Sequence, residues 1–284
     1  MFVPVYSEVY MRENKWKVIP YGLIVGATMM VPGVSGGSMA MILGIYDRLL
    51  SAVSTFGKRP KENFLFLASF ALSGAVGIFL FSAPLSWLLE HFPAPTMYFF
   101  LGAVFGGVPM ICKKAESRLW SADSLIYIMT GILLVLLLGL IPMETIGLQD
   151  ASGLKYQAIL VLLGIPVASA LVLPGVSVSH FLLVLGLYEK LIHAIKYLDF
   201  KFLFPLGLGI LLGVVLVTKG LDYILTHYPK VSYLVILGFV LGSAVEIFPG
   251  ISDVSSGIWA ICMGLAGYGV VCEISNFNIF SCNR

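Results

Sequence analysis

Charged residues are scarce in this chain, and this scarcity indicates the environment in which it folds. Only 11% of the 284 residues are Asp, Glu, Lys or Arg, whereas 59% are hydrophobic. An ordinary soluble domain carries roughly 25% charged residues, and a soluble fold of this size could not hide so much apolar surface. Uncharged stretches such as 125–143 approach the roughly 20 apolar residues that a helix needs to cross a bilayer. The composition predicts an all-α integral membrane protein.

Cysteine and histidine are also few, and their spacing excludes several kinds of site. The four cysteines, Cys112, Cys262, Cys272 and Cys282, form no CxxC pair and have no histidine at metal-ligand spacing. The pattern therefore indicates neither a zinc site nor a disulfide framework, and we expect no cofactor. A net charge of +2 gives no argument for nucleic acid as a partner. The polar N-terminus lacks a small-residue cleavage site, so we expect no removable signal peptide.

The chain contains an internal repeat. Residues 31–50 include Pro-Gly-Val-Ser-Gly-Gly-Ser and Leu-Gly-Ile-Tyr-Asp-Arg, and 173–192 match them with Pro-Gly-Val-Ser-Val-Ser-His and Leu-Gly-Leu-Tyr-Glu-Lys at an offset of 142. Later matches, at an offset of 136, join His91, Gly102, Gly106 and Gly131 to His227, Gly238, Gly242 and Gly267. The sequence therefore predicts two repeats, 1–150 and 151–284. The two Gly-x-x-x-Gly pairs, at 102/106 and 238/242, predict close helix contacts.

Each half has one interrupted apolar stretch followed by three continuous ones. The interrupted stretches cover 18–46 and about 158–188; the continuous ones lie at about 63–89, 96–111, 125–141, 202–218, 231–247 and 257–271. Asp47 follows nine residues after Ser38, and nine helical residues reach only about half of a roughly 30 Å hydrocarbon core. We therefore predict re-entrant helix hairpins at about 18–56 and 158–198, whose broken backbone needs protein or a wet cavity around it.

The number of crossings determines how the halves are related. A hairpin contributes an even number of membrane crossings, and three further helices make the number of crossings in each half odd. The second repeat is therefore predicted to be inverted relative to the first. A single kinked crossing would make the repeats parallel, but 29 residues are long for one crossing. With the N-terminus in the cytoplasm, 13 Lys and Arg residues lie inside and four lie outside, namely Lys155, Lys190, Lys196 and Lys201. This distribution agrees with the positive-inside rule.

The two breaks are the candidate binding site. A helix that begins inside the membrane offers free N–H groups and the positive end of its dipole, which favour an anion. We assign anion binding to Gly33, Ser35, Gly36, Gly37 and Ser38 in the first tip and to Gly175, Ser177, Ser179 and His180 in the second. Two tips that meet near the midplane are typical of secondary transporters. A single break is more often a kink or a packing site than a binding site, and His180 would either hydrogen-bond substrate or pack.

Charged residues near the breaks have two interpretations. Arg48 and Lys190 would guide an anionic headgroup toward the tips. Asp47, Glu189 and Glu246 would couple transport to an ion such as H⁺ or Na⁺. In the simpler interpretation, the pairs at 47/48 and 189/190 are interfacial charges that snorkel at a helix end, and Glu246 is interfacial too.

The doubled motif resembles a known family. The segment 26–50, Gly-Ala-Thr-Met-Met-Val-Pro-Gly-Val-Ser-Gly-Gly-Ser through Tyr-Asp-Arg-Leu-Leu, and its second copy ending at Lys190 resemble the bacterial polyprenyl-phosphate transporters, formerly domain of unknown function 368. The resemblance implies a flippase of the bacterial inner membrane that returns undecaprenyl phosphate from the outer to the cytoplasmic leaflet. This lipid is the expected partner, and assembly into a homo-oligomer is left open. The second tip departs from the family pattern, because Val178 replaces a glycine and should hinder close approach to the backbone.

Two other functions remain to be weighed. Polyprenyl-diphosphate phosphatases also combine inverted repeats with a Pro-Gly-x-Ser loop, but their loop continues with arginine and is served by paired glutamates. Here Gly36 follows Ser35, Val178 follows Ser177, and no apolar run holds a Glu-x-x-x-Glu pair. Without a general base or a phosphate clamp, we predict that the protein is not an enzyme. A carrier or channel for small anions would use the same tips and stays open.

Overall fold

The computed structural model describes residues 18–31, 34–115, 121–139, 153–251 and 253–281, and the regular structure in these ranges is helical. The helices are α1 Val18–Thr28, α2 Gly36–Ile42, α3 Tyr46–Ser54, α4 Pro60–His91, α5 Pro93–Lys114, α6 Ala122–Gly139, α7 Gly153–Val172, α8 Val178–Val184, α9 Tyr188–Tyr197, α10 Phe200–His227, α11 Pro229–Ile247 and α12 Val254–Ser281. Five of them, α4, α5, α7, α10 and α12, are long and apolar enough to cross a membrane. The all-α, multi-pass prediction is confirmed.

The outer faces of the long helices are apolar, as a lipid environment requires. Phe79 on α4 is 83% exposed, and Leu211 on α10 and Leu265 on α12 are also exposed. A soluble protein rarely exposes contiguous apolar patches of this kind. The buried centre is formed instead by α2 and its neighbours, where Met41 and Ile42 pack with residues of α5 and α11.

The chain breaks at both predicted places. Helix α1 ends at Thr28 and α2 begins at Gly36, while α7 ends at Val172 and α8 begins at Val178. Proline cannot donate to a helical ladder and glycine weakens it, so the Pro-Gly pair of each motif accounts for the interruption.

A second turn follows each break, and the sequence analysis missed it. Gly44 and Gly186 both have positive φ, +76° and +64°. The N–H of Gly44 donates to Met41 O at 3.0 Å and the N–H of Ile45 to Ala40 O at 3.0 Å, and the turn at Gly186 repeats this pattern. This is the Schellman arrangement, in which a left-handed glycine ends a helix. Helices α2 and α8 therefore have only seven residues each.

Glycines bring helices into close contact in four pairs: α1 with α4, α7 with α10, α5 with α12, and α6 with α11. A Cβ at Gly102 would lie 2.0 Å from the carbonyl oxygen of Gly264, and one at Gly238 would lie 2.2 Å from Ile128 O. The predicted helix contacts are thus confirmed at both glycine pairs. The sequence analysis missed the similar contacts of Gly26 with α4 and of Gly209 with α7.

Candidate functional site

The two breaks meet in the folded chain. A Cβ at Gly37, in the first turn of α2, would lie 3.2 Å from Pro174 Cα. The hydroxyl of Tyr46 donates to Val172 O at 2.9 Å, which joins α3 to the end of α7. The first turn of α2 and the backbone before α8 are therefore neighbours, although they are far apart in sequence.

Polar groups of the first tip are buried at this junction. Ser35 is the N-cap of α2 in an extended conformation, and its side chain makes no capping hydrogen bond. Ser38 is 3% exposed, and its Oγ has no hydrogen-bond partner among the described residues. A buried hydroxyl without a partner costs about 1–3 kcal/mol, so such a group calls for an explanation. One explanation is a ligand oxygen that accepts a hydrogen bond from this hydroxyl.

The flexible side chain of Met29 covers the first tip. A Cβ at Gly36 would lie 3.0 Å from Met29 Cγ and Sδ, while Met29 itself is 40% exposed. Gly36 and Gly37 are partly exposed. Gly33, the remaining glycine assigned to this tip, lies outside the described residues.

The second tip is packed more tightly. Gly175 has φ +83°, and a Cβ there would lie 2.5 Å from Phe239 C and O on α11. Ser177 is half-buried directly before α8 and accepts the N–H of Phe181 at 3.0 Å through its carbonyl oxygen, whereas Ser179 is exposed. His180 lies in α8, but its side chain is outside the described part, as is that of Glu246 in α11.

Asp47 is held by two other helices. Its Oδ2 accepts from Lys114 Nζ on α5, and its Oδ1 accepts from the Tyr233 hydroxyl on α11 at 3.1 Å. The Lys114 ammonium also lies 5.6 Å from the Tyr233 ring centroid. Asp47 lies in the first turn of α3, where the positive end of the helix dipole also stabilises its negative charge.

Arg48 is engaged at the start of α4. Its Nη1 donates to Asn63 Oδ1 at 3.4 Å, and its guanidinium lies 4.5 Å from the Phe66 ring centroid. Buried Asn63 in turn donates to Thr55 O at 3.2 Å. The described contacts of Arg48 thus go to α4, and none joins it to the first tip.

Helix α3 is tied to the second half of the chain at three points. Besides Tyr46 and Asp47, Ser54 Oγ donates to Asp222 Oδ2 on α10 at 2.8 Å. The sequence analysis missed Ser54 and Asp222, and a single sequence carries no signal for this pair. The matching helices α9 and α4 make no packing contact of comparable extent within the described ranges.

Two cavities lie beside α7, α9 and α10, away from the tips. The smaller, about 360 Å³, is lined by the predicted residues Glu189 and Lys190 together with Tyr156, His193 and Asp199, which the sequence analysis missed. The larger, about 570 Å³, lies between the first turns of α7 and α10. Among the described residues, no group of His, Cys, Asp and Glu could hold a metal ion.

Comparison with known proteins gives a consistent result. The family profile described as VCA0040-like, undecaprenyl phosphate translocase-like, matches residues 25–259. The chain is 31% identical over 255 residues to the polyprenyl-phosphate transporter of Staphylococcus aureus, covering 85% of this chain and 89% of that protein. It is 28% identical over 242 residues to the polyprenyl-phosphate transporter of Vibrio cholerae, covering 80% and 76%. No solved structure shows significant similarity. Both relatives are named for transport of a polyprenyl phosphate.

Proposed function

Because this chain belongs to the undecaprenyl phosphate translocase-like family, we propose that it carries undecaprenyl phosphate from the outer to the cytoplasmic leaflet of the bacterial inner membrane. The names of its relatives support a polyprenyl phosphate as substrate. The apolar outer faces of the long helices support transport within a bilayer. The same names favour a transporter over a phosphatase.

The phosphate binds where the two tips meet, and one observation carries this assignment. The first turn of α2, at Gly37, lies beside Pro174 in the break before α8, and the buried hydroxyl of the adjacent Ser38 lacks a partner among the described residues. A phosphate oxygen would accept from Ser38, and the glycine backbone would allow its close approach. Gly33, Ser35 and Gly36 of the first tip, and Gly175, Ser177, Ser179 and His180 of the second, complete the proposed site.

The two halves, 1–150 and 151–284, form an inverted repeat of one re-entrant hairpin and three further helices each. The order of helices supports this proposal, because two short helices and three longer ones follow each break. The packing partners support it as well. The pair α1 and α4 corresponds to α7 and α10, and the pair α5 and α12 corresponds to α11 and α6.

Transport proceeds by alternating access, in which the halves rock about the tips. The three bonds of α3 to the second half are consistent with a closed α3 side. The weaker packing of α9 leaves its own side more open. With the N-terminus in the cytoplasm, as the positive-inside count favours, the open side faces outward. Asp47, Glu189 and Glu246 remain the proposed residues for ion coupling, and Arg48 and Lys190 for headgroup guidance.

Reconstitution tests the proposal. In liposomes with a fluorescent polyprenyl phosphate, a membrane-impermeant quencher added outside removes only the outer-leaflet signal, and purified protein should speed the later loss of the inner-leaflet signal. Gly36→Leu should abolish this exchange by filling the tip. The variant should still fold, because the nearest atoms belong to the flexible Met29 side chain.

Gly269→Leu is the matched control, because a Cβ at Gly269 has nothing within 4 Å, and it should retain wild-type exchange. Equal exchange by wild type and Gly36→Leu would remove the tip from the mechanism. Exchange no faster than in protein-free liposomes would refute lipid transport itself.

A further inference from the structure

We propose that the groove between the first turns of α7 and α10 is the entry site for the lipid substrate, a site separate from the tips. This inference rests on the proposed function. The groove receives the isoprene units next to the phosphate, while the phosphate lies between Lys201 and Lys190. The lipid would occupy it before its headgroup moves inward along the α9 side.

The groove has the size and lining of a lipid-chain site. Its volume is about 570 Å³, within the roughly 300–1,000 Å³ of ordinary ligand sites. Its lining combines aliphatic and aromatic side chains with one cation, and includes Ala158, Val161, Phe200, Lys201, Phe204 and Leu208. An apolar trough with a cation at one end matches an amphiphile with an anionic head.

The smaller cavity, which we call the charged cleft, lies next to this groove. Gln157 and Lys201 line the groove, while their sequence neighbours Tyr156 and Phe202 line the 360 Å³ cleft. Lys190 and His193 of α9 line the cleft on its other side, together with the acidic Glu189 and Asp199. A headgroup at the boundary would therefore reach Lys201 from the groove and Lys190 from the cleft.

The cations at this boundary are available to a ligand. Neither the Lys190 nor the Lys201 ammonium lies within 4.0 Å of a carboxylate among the described residues. Asp199 Oδ1 already accepts the backbone N–H of Lys201 at 3.1 Å, so this carboxylate is partly engaged by the helix it caps. A phosphate monoester, with a charge between −1 and −2 at neutral pH, would complement the lysines of the two cavities, Lys201 and Lys190.

The four outer lysines all belong to the helices that enclose the two cavities. Lys155 lies in the first turn of α7, Lys190 and Lys196 lie on α9, and Lys201 lies in the first turn of α10. Two of these four lysines, Lys190 and Lys201, line the cavities themselves. Chain burial in an apolar groove gains little over burial in lipid, because both surroundings are apolar. The headgroup charge therefore selects the substrate.

Photolabelling tests the entry site directly. A polyprenyl phosphate with a photoreactive group in its first isoprene unit is incorporated into proteoliposomes, and labelled peptides are identified by mass spectrometry. We expect labels on the segments 154–161 and 200–208. Ala158→Trp should lower labelling at subsaturating lipid by at least about tenfold, equivalent to about 1.4 kcal/mol, because the indole fills the groove.

Leu162→Trp is the matched control, since Leu162 is exposed on the same helix and does not line the groove; it should label like wild type. Lys201→Gln should weaken labelling by a polyprenyl phosphate and leave that by a neutral polyprenol unchanged. Equal labelling of Ala158→Trp and wild type would overturn the entry site. Competition by phosphatidylglycerol or inorganic phosphate as effective as by polyprenyl phosphate would overturn the stated occupant.

The exchange assay separates this inference from the proposed function. If Ala158→Trp exchanges lipid as fast as wild type at low lipid concentration, the groove is rejected as the entry site while lipid transport is retained. If the groove peptides are labelled but the protein does not exchange lipid, the groove is retained as a lipid-binding site and transport is rejected.

Discussion

At the scale of single residues, the polar side chains of α3 act as links between helices. Asp47 accepts hydrogen bonds from both Lys114 and Tyr233, and Arg48 is bound at Asn63 and Phe66. These contacts favour positioning roles for both residues in the conformation described. Direct contact between Arg48 and the substrate stays a prediction. It would require the guanidinium to leave its contacts on α4.

The Asp47 contacts predict a small effect on stability and a larger one on transport. The carboxylate side chain is 48% exposed, and exposed ion pairs contribute about 0–1 kcal/mol. A double-mutant cycle of Asp47→Ala and Lys114→Ala, read from thermal unfolding in detergent, should give a coupling energy of at most about 1 kcal/mol. Tyr233→Phe, which removes one hydrogen bond, should change the rate of lipid exchange measurably and leave the unfolding temperature close to that of wild type. A coupling above about 2 kcal/mol would mean that the pair is structural.

At the scale of helices, glycine determines how closely the elements pack and where they end. Gly102, Gly238 and Gly26 allow backbones to touch, which supplies the van der Waals contact that drives helix association in lipid. Gly44 has another role, because its positive φ ends α2 and starts α3. Replacing a glycine of either kind should destabilise the protein, for different reasons.

Gly102→Ala should lower stability by about 1–3 kcal/mol, as is usual when a close-packed site is overfilled. The added methyl would overlap Gly264 O, so α5 and α12 would have to separate. Gly269→Ala on α12 is the control, and it should match wild type or exceed it slightly because alanine favours helix. The measurement is thermal unfolding of both variants in the same detergent. Identical unfolding temperatures would contradict the close contact.

At the scale of the whole molecule, the two hairpins differ in how they contact the opposite half. Ser54 on α3 bonds to Asp222 on α10. The repeat offsets relate this pair to Lys196 and Ser86, on α9 and α4. These two helices lack comparable packing within the described ranges. If the halves exchange conformations, the second pair should approach when the first separates.

Crosslinking tests this exchange. In a variant with all four native cysteines replaced, Ser54→Cys with Asp222→Cys should form a crosslink under mild oxidation that stops lipid exchange, and reduction should restore it. Lys196→Cys with Ser86→Cys should crosslink only slowly in detergent and faster in liposomes that are transporting lipid. Full exchange by the protein crosslinked at 54 and 222 would show that this contact does not open during transport.

The sequence by itself determined the membrane environment, the helices and the places where they break. It did so because apolar runs, Pro-Gly pairs and Gly-x-x-x-Gly spacing act locally. It could not predict the turns at Gly44 and Gly186, since a lone glycine is also compatible with a continuous helix.

Only the tertiary structure placed Gly37 beside Pro174, paired Ser54 with Asp222, and gathered Lys190, His193 and Lys201 around adjacent cavities. These contacts join residues distant in the chain. They depend on how the helices cross, and one sequence without its packing does not specify those crossings.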